Sequence, residues 1–258
     1  MAGTLHIVRH GEVCPLLRYS IRTLHIYVDL TTSIQALHNI SDANRTILDP
    51  ILTSTGSDQA RALKLSFPYR DRPIIIFSSP LRRALQTALI GFDGLLKPET
   101  GKVVCFAEAQ ETGTSPCDTG RALDDLAQFL AEQGVADHVD LRRVPRGWDS
   151  KTGEWSERDD AVEVRAQKLL GFLAEEVERG SDVVLVTHGF FIHYLIEDWD
   201  DYAVRGNACG FQNCEFRSYA MVKKDGRVRL EETDRSRALR NAPPVSVGVT
   251  AFDGKSIP

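Results

Sequence analysis

Two histidines, His10 and His188, each close an apolar run and each precede a glycine, with Arg9 and Thr187 directly before them. A third stretch, Ser78-Ser79-Pro80-Leu81-Arg82-Arg83, ends another apolar run with two hydroxyls and two guanidinium groups. An imidazole is a nucleophile or proton carrier near neutral pH, and a guanidinium fork matches the paired oxygens of a phosphoryl group. If the three stretches meet, two arginines and two histidines line one compact cationic pocket that asks for an anion.

The surrounding pattern predicts that they do meet. Short runs rich in β-branched residues, 5–10, 73–79 and 182–189, alternate with helical patterns at 54–67, 80–92 and 156–180. That alternation marks an α/β fold: a three-layer α/β/α sandwich whose mostly parallel sheet has helices on both faces. Ligands of such sheets bind beyond the carboxyl ends of the strands, where Arg9, His10, Ser78, Ser79, Arg82, Arg83 and His188 fall. Pro80 suits a first helical position, and Gly180 closes the longest helix, whose apolar stripe includes Val162, Val164, Leu169, Leu173 and Val177. Near the end, the sequences EFRSYAMV and RVRLEET flank KKDG, a hairpin with Asp-Gly at its turn that would supply edge strands. Residues 1–233 read as one domain, and 234–258 as a poorly ordered tail.

Composition narrows the partners. The 258 residues are 42% hydrophobic, enough for a substantial core, and carry a net charge of −5 without a long block of one sign. Neither nucleic acid nor an anionic membrane is implied, and no apolar stretch is long enough to span a bilayer. Five scattered cysteines (Cys14, Cys105, Cys117, Cys209 and Cys214) lack the spacing of a zinc site or a disulfide framework. With no signal-like amino terminus, the expectation is a cytoplasmic protein, so the sequons at Asn39 and Asn44 carry little weight.

The order and wording of the three stretches resemble the histidine phosphatase superfamily, the phosphoglycerate mutase-like proteins. The first motif reads Arg9-His10-Gly11-Glu12. The second reads Ser79-Pro-Leu81-Arg-Arg83-Ala84-Leu-Gln-Thr87-Ala88, which selects Arg83 over Arg82. The third is Thr187-His188-Gly189. The resemblance implies that His10 attacks phosphorus and becomes a phosphohistidine while backbone holds its other nitrogen, and that Arg9, Arg83 and His188 hold the phosphoryl oxygens. It implies neither metal nor cofactor, and a small phosphorylated metabolite as substrate.

The family also supplies a carboxylic acid that protonates the leaving oxygen. Glu111, in FAEAQETGT, is the candidate; Glu108, three residues earlier, is the competitor and reads as a solvated surface charge. The strings Gln110-Glu111-Thr112, Pro116-Cys117-Asp118-Thr119-Gly120 and GWDSKTGEW resemble a fungal subgroup of these proteins, with residues 112–155 as a cap formed by insertion. Trp148 and Trp155 read as packing residues, and Cys117 and Cys214 as buried, inert thiols.

One departure stands out. The family continues its first motif as Arg-His-Gly-(Glu/Gln)-x-x-x-Asn, the asparagine adding an amide beside the phosphate. Here no asparagine follows until Asn39, and removing residues 13–35 restores the spacing as VRHGE-ALHN. The excised stretch begins with Val and ends with Gln, whose codons can carry the boundary letters of an intron. It therefore reads as a translated intron, with a lid over the site and a tolerated loop as the competing readings. Such a break is expected to displace the residue after Glu12 and the loop that should cradle phosphate, and so to impair this chain's activity. The leading functional reading is a phosphatase for a small phosphomonoester. The alternatives are a mutase-type phosphotransferase, a secondary-metabolism enzyme acting on a nonphosphorylated substrate, and a noncatalytic module that binds a phosphorylated ligand.

Overall fold

The computed structural model describes residues 3–13, 46–97, 101–199 and 210–241. Seven strands form one sheet: β1 (Leu5–Arg9), β2 (Ile74–Ser78), β3 (Val103–Cys105), β4 (Val139–Asp140), β5 (Asp182–Thr187), β6 (Phe216–Lys224) and β7 (Arg227–Glu232). Their spatial order is β4-β3-β2-β5-β1-β6-β7. The pairs β1 with β5, β5 with β2, β2 with β3 and β3 with β4 are parallel, whereas β6 runs antiparallel to both neighbours. Six α-helices lie among the described residues: α1 (Ser54–Ser66), α2 (Arg82–Gly91), α3 (Leu123–Glu132), α4 (Asp159–Glu178), α5 (Gly189–Ile196) and α6 (Asp234–Asn241).

The side-chain period of two along each central strand feeds two separate cores. On one face Val8, Ile76, Val184 and Val186 pack with Ala60 and Leu63 of α1, Leu85 and Ala88 of α2, and Leu126 and Leu130 of α3. On the other, Leu5, Ile7, Phe77, Val183 and Leu185 pack with Leu169 and Leu173 of α4 and Phe191 and Ile192 of α5. Every residue of β5 is buried, as a strand covered by helices on both faces requires. The three-layer α/β/α expectation holds.

Local signals place most ends. Thr53 caps α1 by accepting from the Gly56 amide at 3.0 Å, a bond worth about 1 kcal/mol. Gly180, at φ 94°, takes the left-handed backbone that ends α4. Asp225 and Gly226, both with positive φ, make the predicted hairpin turn between β6 and β7, although only β7 is an edge strand, because β6 pairs with β1.

Four expectations need correction. Pro80 precedes the helix: α2 starts at Arg82, with Leu81 as its cap residue. Val164 is 67% exposed, because the 3.6-residue period turns it away from the sheet. Residues 112–155 are not all cap, since β4 returns to pair with β3 and extends the sheet. The tail expectation fails over Asp234–Asn241, where α6 forms; it lies against β6, with the Ser236 hydroxyl accepting from the Ser218 amide at 3.0 Å.

Residues 14–35 of the interrupting stretch, together with Asn39, Cys14 and Cys209, lie outside the described residues. The loop just before the stretch can still be followed. The His10 amide donates to the Thr187 carbonyl at 3.0 Å, Gly11 to the Thr87 hydroxyl at 3.0 Å, and Glu12 to Gln59 Oε1 at 2.8 Å. The Thr53 amide in turn donates to the Glu12 carbonyl at 3.0 Å. These bonds tie residues 10–12 to β5, α1 and α2; the loop that follows lies outside the described residues.

Candidate active site

The registers bring the three stretches to one sheet end. Arg9 of β1 stands opposite Thr187 of β5, and Ser78 of β2 opposite Val186, so the residues that follow each strand emerge side by side. The His10 and His188 ring centres are 5.1 Å apart.

His10 is oriented through backbone. Its Nδ1 is 2.7 Å from the Gly11 carbonyl oxygen, an acceptor, so Nδ1 carries the proton and Nε2 keeps its lone pair. That Nε2 accepts from Arg83 Nε at 3.2 Å. Burial, then the charges of Arg83 and Arg9, push the His10 pKa well below its ordinary value. The ring is therefore neutral at physiological pH, with its unprotonated nitrogen held by a guanidinium.

Arg83, almost fully buried on the first turn of α2, is held at all three nitrogens. Besides His10, its Nη1 donates to the Cys117 carbonyl, and Nη2 donates to Asp118 Oδ1 at 3.1 Å. Thr87, one turn along, donates to the Arg83 carbonyl at 2.7 Å while accepting from Gly11. Arg82 faces elsewhere, its guanidinium donating to the Asp49 carbonyl and forming an ion pair with the Asp49 carboxylate at 3.4 Å. Arg9 Nη1 donates to the Phe211 carbonyl at 2.6 Å, and its charge acts on His10. His188 Nε2 lies 2.8 Å from the Ser79 hydroxyl, whereas its buried Nδ1 has no hydrogen-bond partner among the described residues. Burial, then Arg83 and His10, keep its pKa well below the ordinary value.

Glu111 is half-buried at the amino end of α5. Its Oε1 accepts from the amides of Thr112 at 2.9 Å and Phe191 at 3.1 Å, and its Oε2 from Phe190 at 3.3 Å. Donors at a helix N-terminus favour a carboxylate, yet burial and the nearby Asp118 charge outweigh them and raise the pKa. Glu108 is not the solvated charge expected; it is buried and paired with Lys168 of α4 at 2.8 Å. Glu108 lies within the 3-10 turn Ala107–Ala109 and Glu111 two residues beyond its end, so the two carboxylates meet different partners.

Three residues beyond the sequence reading converge here. Arg165 of α4, buried, donates to the carbonyls of Glu108 at 2.6 Å and Gln110 at 2.7 Å, and lies over the Phe191 ring at 4.4 Å. Lys151 Nζ donates to the Glu111 carbonyl at 2.8 Å, and burial, then the Arg165 charge, lowers its pKa to about 8. Asp118 pairs with Arg83. Asp118 and Lys151 stood inside stretches picked out for their wording, PCDTG and GWDSKTGEW, whereas Arg165 had no signal beyond a cation on the predicted sheet-facing side of its helix. Gly120 of the first stretch is needed sterically: a Cβ there would lie 2.0 Å from the buried Trp148 ring. Cys117 and Cys214 are buried, and burial raises the Cys214 thiol pKa to about 12.

Residues 5–232 match the family model described as the histidine phosphatase superfamily (branch 1). A probable phosphatase of Schizosaccharomyces pombe is 34% identical over 94 residues, which are 36% of this chain. The match spans 44% of that relative's own length. Among solved structures, the ecdysone phosphate phosphatase of Bombix mori with tungstate has a TM-score of 0.54 at 16% identity, covering 99% of this chain and 98% of that one. A mycobacterial glucosyl-3-phosphoglycerate phosphatase with inorganic phosphate has a TM-score of 0.50 at 21% identity, covering 90% and 96%. At these identities the two structures share the fold.

Proposed function

This chain belongs to the histidine phosphatase superfamily, and from that premise we propose that it hydrolyses a small phosphomonoester through a phosphohistidine on His10. One observation carries the reading: the Gly11 carbonyl fixes the proton on Nδ1, so that Nε2 presents a lone pair beside Arg83. A binding module needs phosphate donors but gains nothing from a neutral, oriented nucleophile. In the reaction Nε2 attacks phosphorus in line, the P–O bond to the leaving alcohol breaks, and protonated Glu111 delivers its proton to that oxygen. Arg83, Arg9 and the Nδ1 of His188, which has no partner among the described residues, take the non-bridging oxygens, as the charge of a transferring phosphoryl group requires. Asn39 belongs to the same reading as an amide donor. Water, deprotonated by Glu111, then attacks the phosphohistidine, releases inorganic phosphate and restores His10.

The test is phosphate release from a panel of sugar phosphates and glycerate phosphates by the full chain and its His10→Ala variant, with acid-labile phosphoenzyme trapped in parallel. Turnover and trapping should vanish together in the variant; equal release by His10→Ala sinks the mechanism. Transfer of phosphate to a second alcohol in place of water would instead identify a mutase-type enzyme. The same panel, run on a chain lacking residues 13–35, should show undiminished turnover, because residues 10–12 keep their contacts with β5, α1 and α2.

A further inference from the structure

Asp118 places a carboxylate where a phosphate pocket would be expected to exclude one. Its Oδ1 accepts from Arg83 Nη2 at 3.1 Å, and its side chain is 20% exposed. Its other oxygen lies so near Gly113 that a Cβ there would stand 2.8 Å away. The preceding residue binds the same guanidinium through the Cys117 carbonyl, so one short turn, Pro116–Asp118, caps the side of Arg83 that His10 does not occupy. The charges that share this space are Arg83 from α2 and Glu111 and Lys151 from the loops around it.

We infer that Asp118 is a built-in counter-anion of the pocket, seated on the guanidinium that a phosphoryl group takes and displaced when that group binds. The inference rests on the proposed phosphatase reading and adds a purpose to the cap. An isolated buried guanidinium would bind phosphate dianion tightly and hold it after hydrolysis. A resident carboxylate offsets that attraction for substrate and product alike, and returns to Arg83 as inorganic phosphate departs. The cost of displacing the carboxylate keeps ground-state binding of substrate and product weak, so that product is released readily.

The test is equilibrium binding of inorganic phosphate and orthovanadate to the full chain, to Asp118→Asn, which keeps the side-chain shape, and to Asp118→Ala. Removing a charge in direct contact with the same guanidinium should tighten both anions by about tenfold or more. A variant that had merely loosened the fold would bind more weakly, so tighter binding is not a by-product of damage. The Glu111 pKa should also fall, because a neighbouring negative charge has gone, and the alkaline limb of kcat/KM should move to lower pH. Unchanged or weaker anion binding, or an alkaline limb that stays or moves upward, overturns the inference while leaving the phosphatase reading in place. If the unaltered chain and Arg83→Met bind vanadate equally, the functional reading fails first and takes this one with it.

Discussion

Replacing Glu111 with glutamine separates its proton from its position. The carboxylate accepts two amide hydrogens on Oε1, from Thr112 at 2.9 Å and Phe191 at 3.1 Å, and one on Oε2, from Phe190 at 3.3 Å. A glutamine keeps its oxygen on the two-bond side and turns its NH₂ toward the Phe190 amide, so one acceptor is lost and two donors face each other. That costs about 1 kcal/mol of stability, or about 3 °C in Tm for a chain of this size. The chemical cost is larger. General acid catalysis contributes roughly 10²–10⁴ in rate, equivalent to about 3–5 kcal/mol of barrier. The loss should depend on the leaving group: an alkyl phosphate expels an alkoxide that must be protonated, whereas p-nitrophenolate leaves without a proton. Rapid-quench measurement of the phosphorylation step should therefore show Glu111→Gln slowed by at least about 10² on an alkyl phosphate and by less than about tenfold on p-nitrophenyl phosphate. Equal losses on the two substrates would refute the assignment and make Glu111 a structural cap of α5.

Arg165→Met keeps the bulk but removes the donors to the Glu108 and Gln110 carbonyls, at 2.6 and 2.7 Å, so thermal or denaturant unfolding should show a loss of about 3 kcal/mol or more. Its kcat should fall with little change in KM, because the displaced segment carries the proton donor and not the phosphate contacts. Asp49 is fully buried in a left-handed conformation at φ 45°, and desolvation raises its pKa to about 6 from the ordinary 3.8. The folded state therefore holds the proton more tightly than the unfolded one, and this group adds stability as pH falls through 6 toward 4. Asp49→Asn accepts the left-handed backbone and the Arg82 amide, so it should exceed the parent at pH 8 by up to about 3 kcal/mol, keep about half of that advantage at pH 5 and lose nearly all of it below about pH 4. Chemical denaturation at these pH values checks it, and a constant difference across them would contradict the assignment.

The sequence by itself determined the fold class and the nearer half of the site. Alternating β-branched runs and amphipathic helices can bury their apolar faces together only as a helix-covered parallel sheet, so 5–10, 73–79 and 182–189 already specified where Arg9, His10, Arg83 and His188 would emerge. These residues sit within a turn of a strand end, and local spacing fixes them. What the tertiary structure decided comes from segments far apart in the chain. The side of α2 that meets His10 separates Arg83 from Arg82, whose guanidinium goes to Asp49. The route of the 107–109 turn sends Glu108 to Lys168 and Glu111 to the α5 amides. The return of 112–155 to the sheet through β4 anchors a cap that sets Asp118 on Arg83, while Lys151 and Arg165 grip the backbone around Glu111. A cation or carboxylate in a loop looks the same in sequence whether water or a guanidinium is its partner; only packing removes the water, and removing the water is what gives such groups their chemistry.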